Sequence, residues 1–187
     1  MAKRIVSVTT ITPTATADTT NLVDATYPFM LQGGSATQRN HVREIYMGGQ
    51  AGASTPTLMI LARDSTVAAT NSNGAGQTDA ALDAATAALA APALTGNTNT
   101  TKPQRSSTLH LFNWSFNAFG GIVRWVPAPG DEVTVVGNTA SLGEVSLSAF
   151  TGGTPGALGV HMVYEALALA GVAVLSGLLL LSSGAIV

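Results

Sequence analysis

The sequence predicts a mainly β chain: an antiparallel β-sandwich, jelly-roll-like in its strand count, with a helix-containing insertion and an apolar C-terminal helix. Three observations lead there. Apolar and polar residues alternate with period two in run after run, the period of a strand with one buried face. Gly, Pro and Asn clusters punctuate these runs at short intervals, as turns between strands do. Charged residues make up only 10% of the 187, against a usual ~25%, so much of the surface is expected to lie against partners or membrane. A chain of this length can bury roughly 70% of its unfolded surface, enough for one core.

Met1–Asp18 reads as an extended, Thr-rich N-terminal arm. Lys3-Arg4 and Ala15-Thr16-Ala17 imitate the ends of a secretory leader, but Ser7, Thr9, Thr10, Thr12 and Pro13 break the apolar run between them. The sandwich domain is expected over residues 19–165. With one strand inside the arm, the candidate strands are Lys3–Ile11, Thr20–Leu31, His41–Met47, Thr57–Arg63, Ser107–Phe119, Ile122–Val126, Glu132–Val136, Glu144–Phe150 and Gly159–Glu165. The alternation is clearest in the fifth, where Phe112, Trp114 and Phe116 share one face and Leu111, Asn113, Ser115 and Asn117 the other; a helix would scatter the three rings. Val145, Leu147 and Ala149 likewise oppose Glu144, Ser146 and Ser148, and Val160, Met162 and Tyr164 oppose His161 and Glu165. Pro127-Ala128-Pro129-Gly130 suits a tight turn with Pro at its second corner and Gly at its third.

Residues 64–101 interrupt the pattern. Asp79–Ala91 is Ala-rich, with Leu82 and Leu89 seven apart, Asp79 as a cap and Pro92 as a stop, so a helix is expected there and a polar loop over Thr95–Thr101. Beyond Glu165 no charge occurs: residues 166–187 read ALALAGVAVLSGLLLLSSGAIV. About 20 apolar residues are enough to cross a hydrocarbon core of about 30 Å as a helix. Neither Lys/Arg flanks nor an aromatic belt accompany the segment. Gly171, Ser176 and Gly177 would equally permit close packing between subunits, so lipid and an oligomer interior both remain open as its cover.

The residues that carry chemistry form no constellation. The net charge of −2, from 8 Lys+Arg and 10 Asp+Glu, speaks against a nucleic-acid partner bound through phosphates. The absence of Cys removes disulfides, thiol nucleophiles and Cys-held metals. His41, His110 and His161 share no ligand spacing; His161 and Glu165 share a strand face but would need outside partners to hold a metal. Asp131-Glu132 point to opposite faces of any strand and suit a turn better than acid/base work. Asp64, Asp79 and Asp83 lack the spacing of a calcium loop. No nucleophile elbow and no phosphate-cradling glycine motif occur. The stripe Phe112, Trp114, Phe116 could stack bases, but with only Lys102, Arg105 and Arg124 nearby, core packing explains it better. The sequons Asn99-Thr100-Thr101 and Asn113-Trp114-Ser115 carry weight only in a secreted eukaryotic chain. No catalytic, cofactor-binding or metal-binding residue is therefore assigned, and no enzymatic activity is expected.

Three stretches, Phe116–Glu132 (FNAFGGIVRWVPAPGDE), Val136–Phe150 (VGNTASLGEVSLSAF) and Val160–Glu165, resemble small structural proteins of tailed bacteriophages, over about residues 30–165. Within that class the chain resembles a capsid-decorating, or head-cement, protein. The resemblance implies a trimer bound to the major capsid protein on the outside of a virion, stabilising the lattice by bridging subunits, with no cofactor. It does not extend to the apolar tail. Two other readings of the same composition stand beside it: a tail-anchored membrane protein displaying a β-sandwich, and a receptor-binding or fibre module using the loops Asp64–Asp79 and Thr95–Arg105.

Overall fold

A computed structural model of the protein describes residues 4–17, 22, 26–35, 37–66, 80–85, 94–96, 102–137, 142–152 and 156–168. Among them are eleven strands and no helix: β1 (Arg4–Ala15), β2 (Phe29–Gln32), β3 (Gln38–Gln50), β4 (Thr57–Thr66), β5 (Ala80–Ala81), β6 (Leu94–Gly96), β7 (Gln104–Phe116), β8 (Val123–Trp125), β9 (Val133–Val136), β10 (Val145–Gly152) and β11 (Gly156–Ala168). Sheet A has the order β5-β1-β11-β3-β8, with β9 also on β3; sheet B has the order β6-β2-β10-β4-β7. The named strands pair antiparallel throughout.

The two sheets share one apolar core, a β-sandwich-like arrangement. Sheet A contributes Val6, Val8, Val42, Ile45, Met47, Val160, Met162 and Tyr164; sheet B contributes Phe29, Leu31, Met59, Leu61, Phe116, Val145, Leu147 and Ala149. These are alternate positions of their strands, as the period of two requires, except that Val42 and Ile45 stand three apart on β3. Burying each large apolar side chain stabilises the fold by about 1.5–3 kcal/mol. Phe112 and Trp114 pack against this core, and the Phe112 ring lies 4.7 Å from that of Trp125, so the aromatic stripe is a packing feature. The turn ending in Gly130 forms as expected: Asp131 N–H donates to the Ala128 carbonyl at 3.0 Å, and Gly130 has φ +96°, a conformation a side chain would strain.

All nine expected strands occur, with shifted ends. Of the second, the described residues form strand over Phe29–Gln32 and not over 26–28, because Pro28 has no N–H to give to a ladder and its carbonyl is taken by the Thr10 hydroxyl. The fifth ends at Phe116, where Asn117 Oδ1 accepts the Phe119 N–H at 3.1 Å and starts a turn. The N-terminal stretch is extended but is no free arm: β1 lies between β5 and β11, with Val6 and Val8 in the core. Its register slips between Thr12 and Ala15, the stretch that contains Pro13.

The expected helix over Asp79–Ala91 is not what its described residues form. Ala80–Ala81 pair with Ser7 and Val6 as a short edge strand, Leu82 N–H donates to the Ile5 carbonyl at 3.1 Å, and Asp83 Oδ1 accepts from Ala85 N–H at 2.9 Å. The open edge of β1 supplies the backbone partner, and Asp83 satisfies its own turn instead of a helix. Leu94–Gly96 pairs with β2, so part of the expected loop is strand. Residues 86–93 and 97–101 lie outside the described residues. At the C-terminus, Ala166–Ala168 belong to β11, opposite Arg4 on β1 and Gln38–Asn40 on β3, so the sandwich runs past Glu165. The helix expected beyond lies outside the described residues, among which no helix is long and apolar enough to cross a membrane.

Candidate functional site

The outward face of sheet A gathers the exposed groups that could meet a partner. Its geometry starts with an irregularity in β3. Val163 pairs with Glu44 and Tyr164 with Val42, so Arg43 is an extra residue, a β-bulge. The bulge sets Arg43 and Glu44, adjacent and of opposite charge, on the same outward side. Val42 and Ile45 stay in the core on either side of them.

Each charge then finds a partner from another strand. Arg43 is paired with Glu132 and with Glu165, donating to Glu165 through Nε at 3.0 Å as well as through Nη2. The Glu165 hydrogen bond raises the Arg43 guanidinium further above its ordinary range. The Glu132 carboxyl is held below the usual carboxylate range, first by its own backbone N–H and then by the Arg43 charge. Arg124 on β8 donates to Glu44 through Nε at 2.6 Å and lies 5.3 Å over the Tyr46 ring.

Two cross-strand rows follow. The first is Thr9–His161–Tyr46–Arg124, one residue from each of β1, β11, β3 and β8. In it Thr9 Oγ1 and His161 Nδ1 are 2.9 Å apart, and the His161 and Tyr46 rings are 5.7 Å apart. The second row is Ile11–Gly159–Gly48, continued by Ile122, whose Cγ1 lies 3.7 Å from where a Gly48 Cβ would sit. Because Gly159 and Gly48 carry no side chain, the backbone floors a groove of about 250 Å³. Ile11, which lines it, is 67% exposed, and Ile122 beside it is 75% exposed. Large aliphatic groups this open to water, set side by side over bare backbone, are what a docking surface offers.

Sheet B's outward face is different. Glu144, Ser146 and Ser148 stand on the expected polar face of β10, yet all three are fully buried, as is Asp64 on β4. Ser146 donates to Asp64 Oδ1 at 2.6 Å, Arg105 donates to Ser148, and the Arg105 guanidinium lies 5.0 Å over the Phe150 ring. Asp64 Oδ2 is buried with no hydrogen-bond partner. Burial, above all, pushes the Asp64 carboxyl up to about 6, against the pull of Ser146, Glu144 and the arginines. The same burial lowers the Arg63 guanidinium. Alternation alone assigns these residues to solvent, and no signal in the sequence marks their face as covered.

The residues weighed for chemistry do not assemble. His161 and Glu165 share the outward face of β11, but Glu165 is engaged by Arg43 and His161 by Thr9 and Tyr46. His41 lies across from Glu165 on β3, while His110 is in sheet B with its ring 6.3 Å from that of Phe150. Asp131 and Glu132 both serve the turn, Asp131 closing it and Glu132 accepting from the Gly130 N–H at 3.0 Å, and Glu132 is also paired with Arg43. Among the described residues no group of three His, Cys, Asp or Glu side chains could hold a metal ion. Asp79 and Asn99 lie outside the described residues. No family model, curated protein or solved structure matches the chain.

Proposed function

We propose that this chain is a non-enzymatic structural protein of a viral particle, one that sits as a trimer on the outer surface of a capsid and stabilises the lattice by bridging its subunits. The observation that carries the reading is the groove floored by Gly48 and Gly159 beside exposed Ile11 and Ile122, on a face where Arg43 is paired with Glu132 and Glu165, and Arg124 with Glu44. Such a face loses little by desolvation of ions and gains apolar burial when covered. Several modest contacts of this kind, repeated by symmetry, add through avidity.

The pairing order supports a jelly-roll reading of the sandwich. β1 pairs with β11, β2 with β10, β3 with β8 and β9, and β4 with β7, so the strands nest from the outside of the chain inward. A ribbon of nested antiparallel pairs folded over on itself is a jelly roll, an architecture that capsid domains share with lectins and cupins. Architecture alone assigns no function, so the surface decides.

The test is sedimentation with capsid shells assembled without this chain, from the particle proposed to carry it. Full-length protein is expected to pellet with the shells, and Ile11→Asp with Ile122→Asp to stay in the supernatant with an unchanged circular dichroism spectrum. Light scattering should give three copies. A chain that ignores shells and partitions into lipid vesicles, losing this on truncation after Ala168, would make the membrane reading the better one. Glycan binding that needs the loops between β4 and β7 would favour a receptor module.

A further inference from the structure

The buried acidic pair of sheet B sits where the two sheets are tied together. Asp64 ends the well-paired part of β4, and its backbone is clamped to the corner between β9 and β10: Asp64 N–H donates to the Glu144 carbonyl at 3.2 Å, and the Asp64 carbonyl accepts from Leu142 N–H at 2.8 Å. Leu142 has φ +69°, a left-handed conformation that a branched side chain adopts only when held. The corner in turn reaches sheet A, since Val136 N–H of β9 donates to the Gly143 carbonyl at 3.1 Å. Side chains add to the clamp: Ser146 donates to Asp64 Oδ1 at 2.6 Å, while Asp64 Oδ2 is buried with no hydrogen-bond partner and the Glu144 side chain is buried beside it in the fold. A buried carboxyl with one unpartnered oxygen and a second buried acid close by is eased by a bound proton.

We propose that the Asp64–Glu144 pair is a proton-controlled latch on the β9–β10 corner, closed while the pair is protonated and loosened as protons leave. Among the described residues the charged and titratable groups facing it are Arg63 beside it on β4, Arg105 and His110 on β7, and Glu144 at the start of β10. The arginines temper the charge but do not reverse the effect of burial, since Asp64 still stands near 6 rather than 3.8. Opening the corner to water returns the carboxyl toward 3.8 and releases a proton, so opening becomes easier as pH climbs between those values. At tenfold per pH unit, the ceiling is about a hundredfold.

Hydrogen exchange reads this directly. The amides of Asp64, Leu142 and Val136 are to be followed at pH 4.5 and pH 7.5, each corrected for its intrinsic rate, with the β3–β11 ladder as an internal reference. Protection at the corner is expected to fall by between tenfold and a hundredfold at the higher pH while the ladder holds. Asp64→Asn together with Glu144→Gln keeps the shape and removes both titrations, so its corner should be indifferent to pH; if that double variant does not fold, Asp64→Asn alone should narrow the pH dependence. Equal corrected protection of the wild-type corner at both pH values overturns the latch, and so does a pH dependence that survives undiminished in the folded variant.

Discussion

Sheet A and sheet B bury their inner faces in the same core and turn different chemistry outward. On sheet A, Arg43, Glu132, Glu44 and Arg124 meet in pairs at the edge of water, with the Arg124 side chain 59% exposed. On sheet B, Asp64, Glu144, Ser146, Ser148 and Arg105 form a polar cluster that is sealed over. The residue types overlap, so composition does not distinguish the faces; solvent does. An ion pair in water contributes little because both charges are nearly as well off apart, whereas a sealed group that loses its partner has nothing to replace it.

The sharpest way to separate the faces is to remove one arginine from each. Arg105→Ala strands Ser148 and takes a compensating charge from Asp64, and is expected to lower the unfolding free energy by about 3 kcal/mol or more in chemical denaturation. Next comes the junction between the sheets. Gly33 and Gly137 form a parallel bridge, and a Cβ on Gly33 would sit 2.9 Å from Gly137 Cα, so Gly33→Ala should cost about 1–3 kcal/mol by the same measurement. Arg43→Ala on sheet A should cost about 1–3 kcal/mol, because it leaves the Glu165 carboxylate, whose side chain is only 5% exposed, without its partner. If Arg124→Ala, at the exposed pair of sheet A, proves as damaging as Arg105→Ala, the contrast between the faces is wrong.

Acid and base should also pull the faces in opposite directions. Glu132 is held below its ordinary value of 4.5, so its contribution is present above that value and lost as pH falls through the lowered one. Asp64 is held above 3.8, so its contribution is complete below 3.8 and lost as pH rises through about 6. Melting curves of Glu132→Gln should therefore show a gentler decline on the acid side than the wild type, while Asp64→Asn should show a gentler decline between pH 4 and 7. The smallest effect is expected from Arg124→Ala, whose denaturation midpoint should coincide with that of the wild type.

Much of the strand layout was legible because it rests on alternation, which is local: Val145, Leu147 and Ala149, or Val160, Met162 and Tyr164, face the core as their spacing says. Two short strands were not. Ala80–Ala81 lies in a stretch whose alanines favour a helix, and only the distant edge of β1 makes it extended. The bulge at Arg43 is equally invisible, since nothing in Val42–Ile45 announces that the partner strand skips a residue. The candidate sites combine residues far apart in the chain, such as Arg43 with Glu132 and Glu165, or Asp64 with Glu144. Pattern reading gives each residue a side of its strand, but not which sides are covered or which distant strand lies across.

The nested pairing has a consequence for synthesis on the ribosome. β11 is the inner neighbour of both β1 and β3, so sheet A lacks its central member until the last of the described strands has emerged. β1, made first, must wait with its apolar face unpaired while everything through Ala168 is translated, which at roughly 5–20 residues per second takes several seconds or more. Folding of this chain is thus deferred rather than progressive, and a nascent-chain stall placed a few residues before β11 should leave a protease-sensitive product where one placed well after it does not.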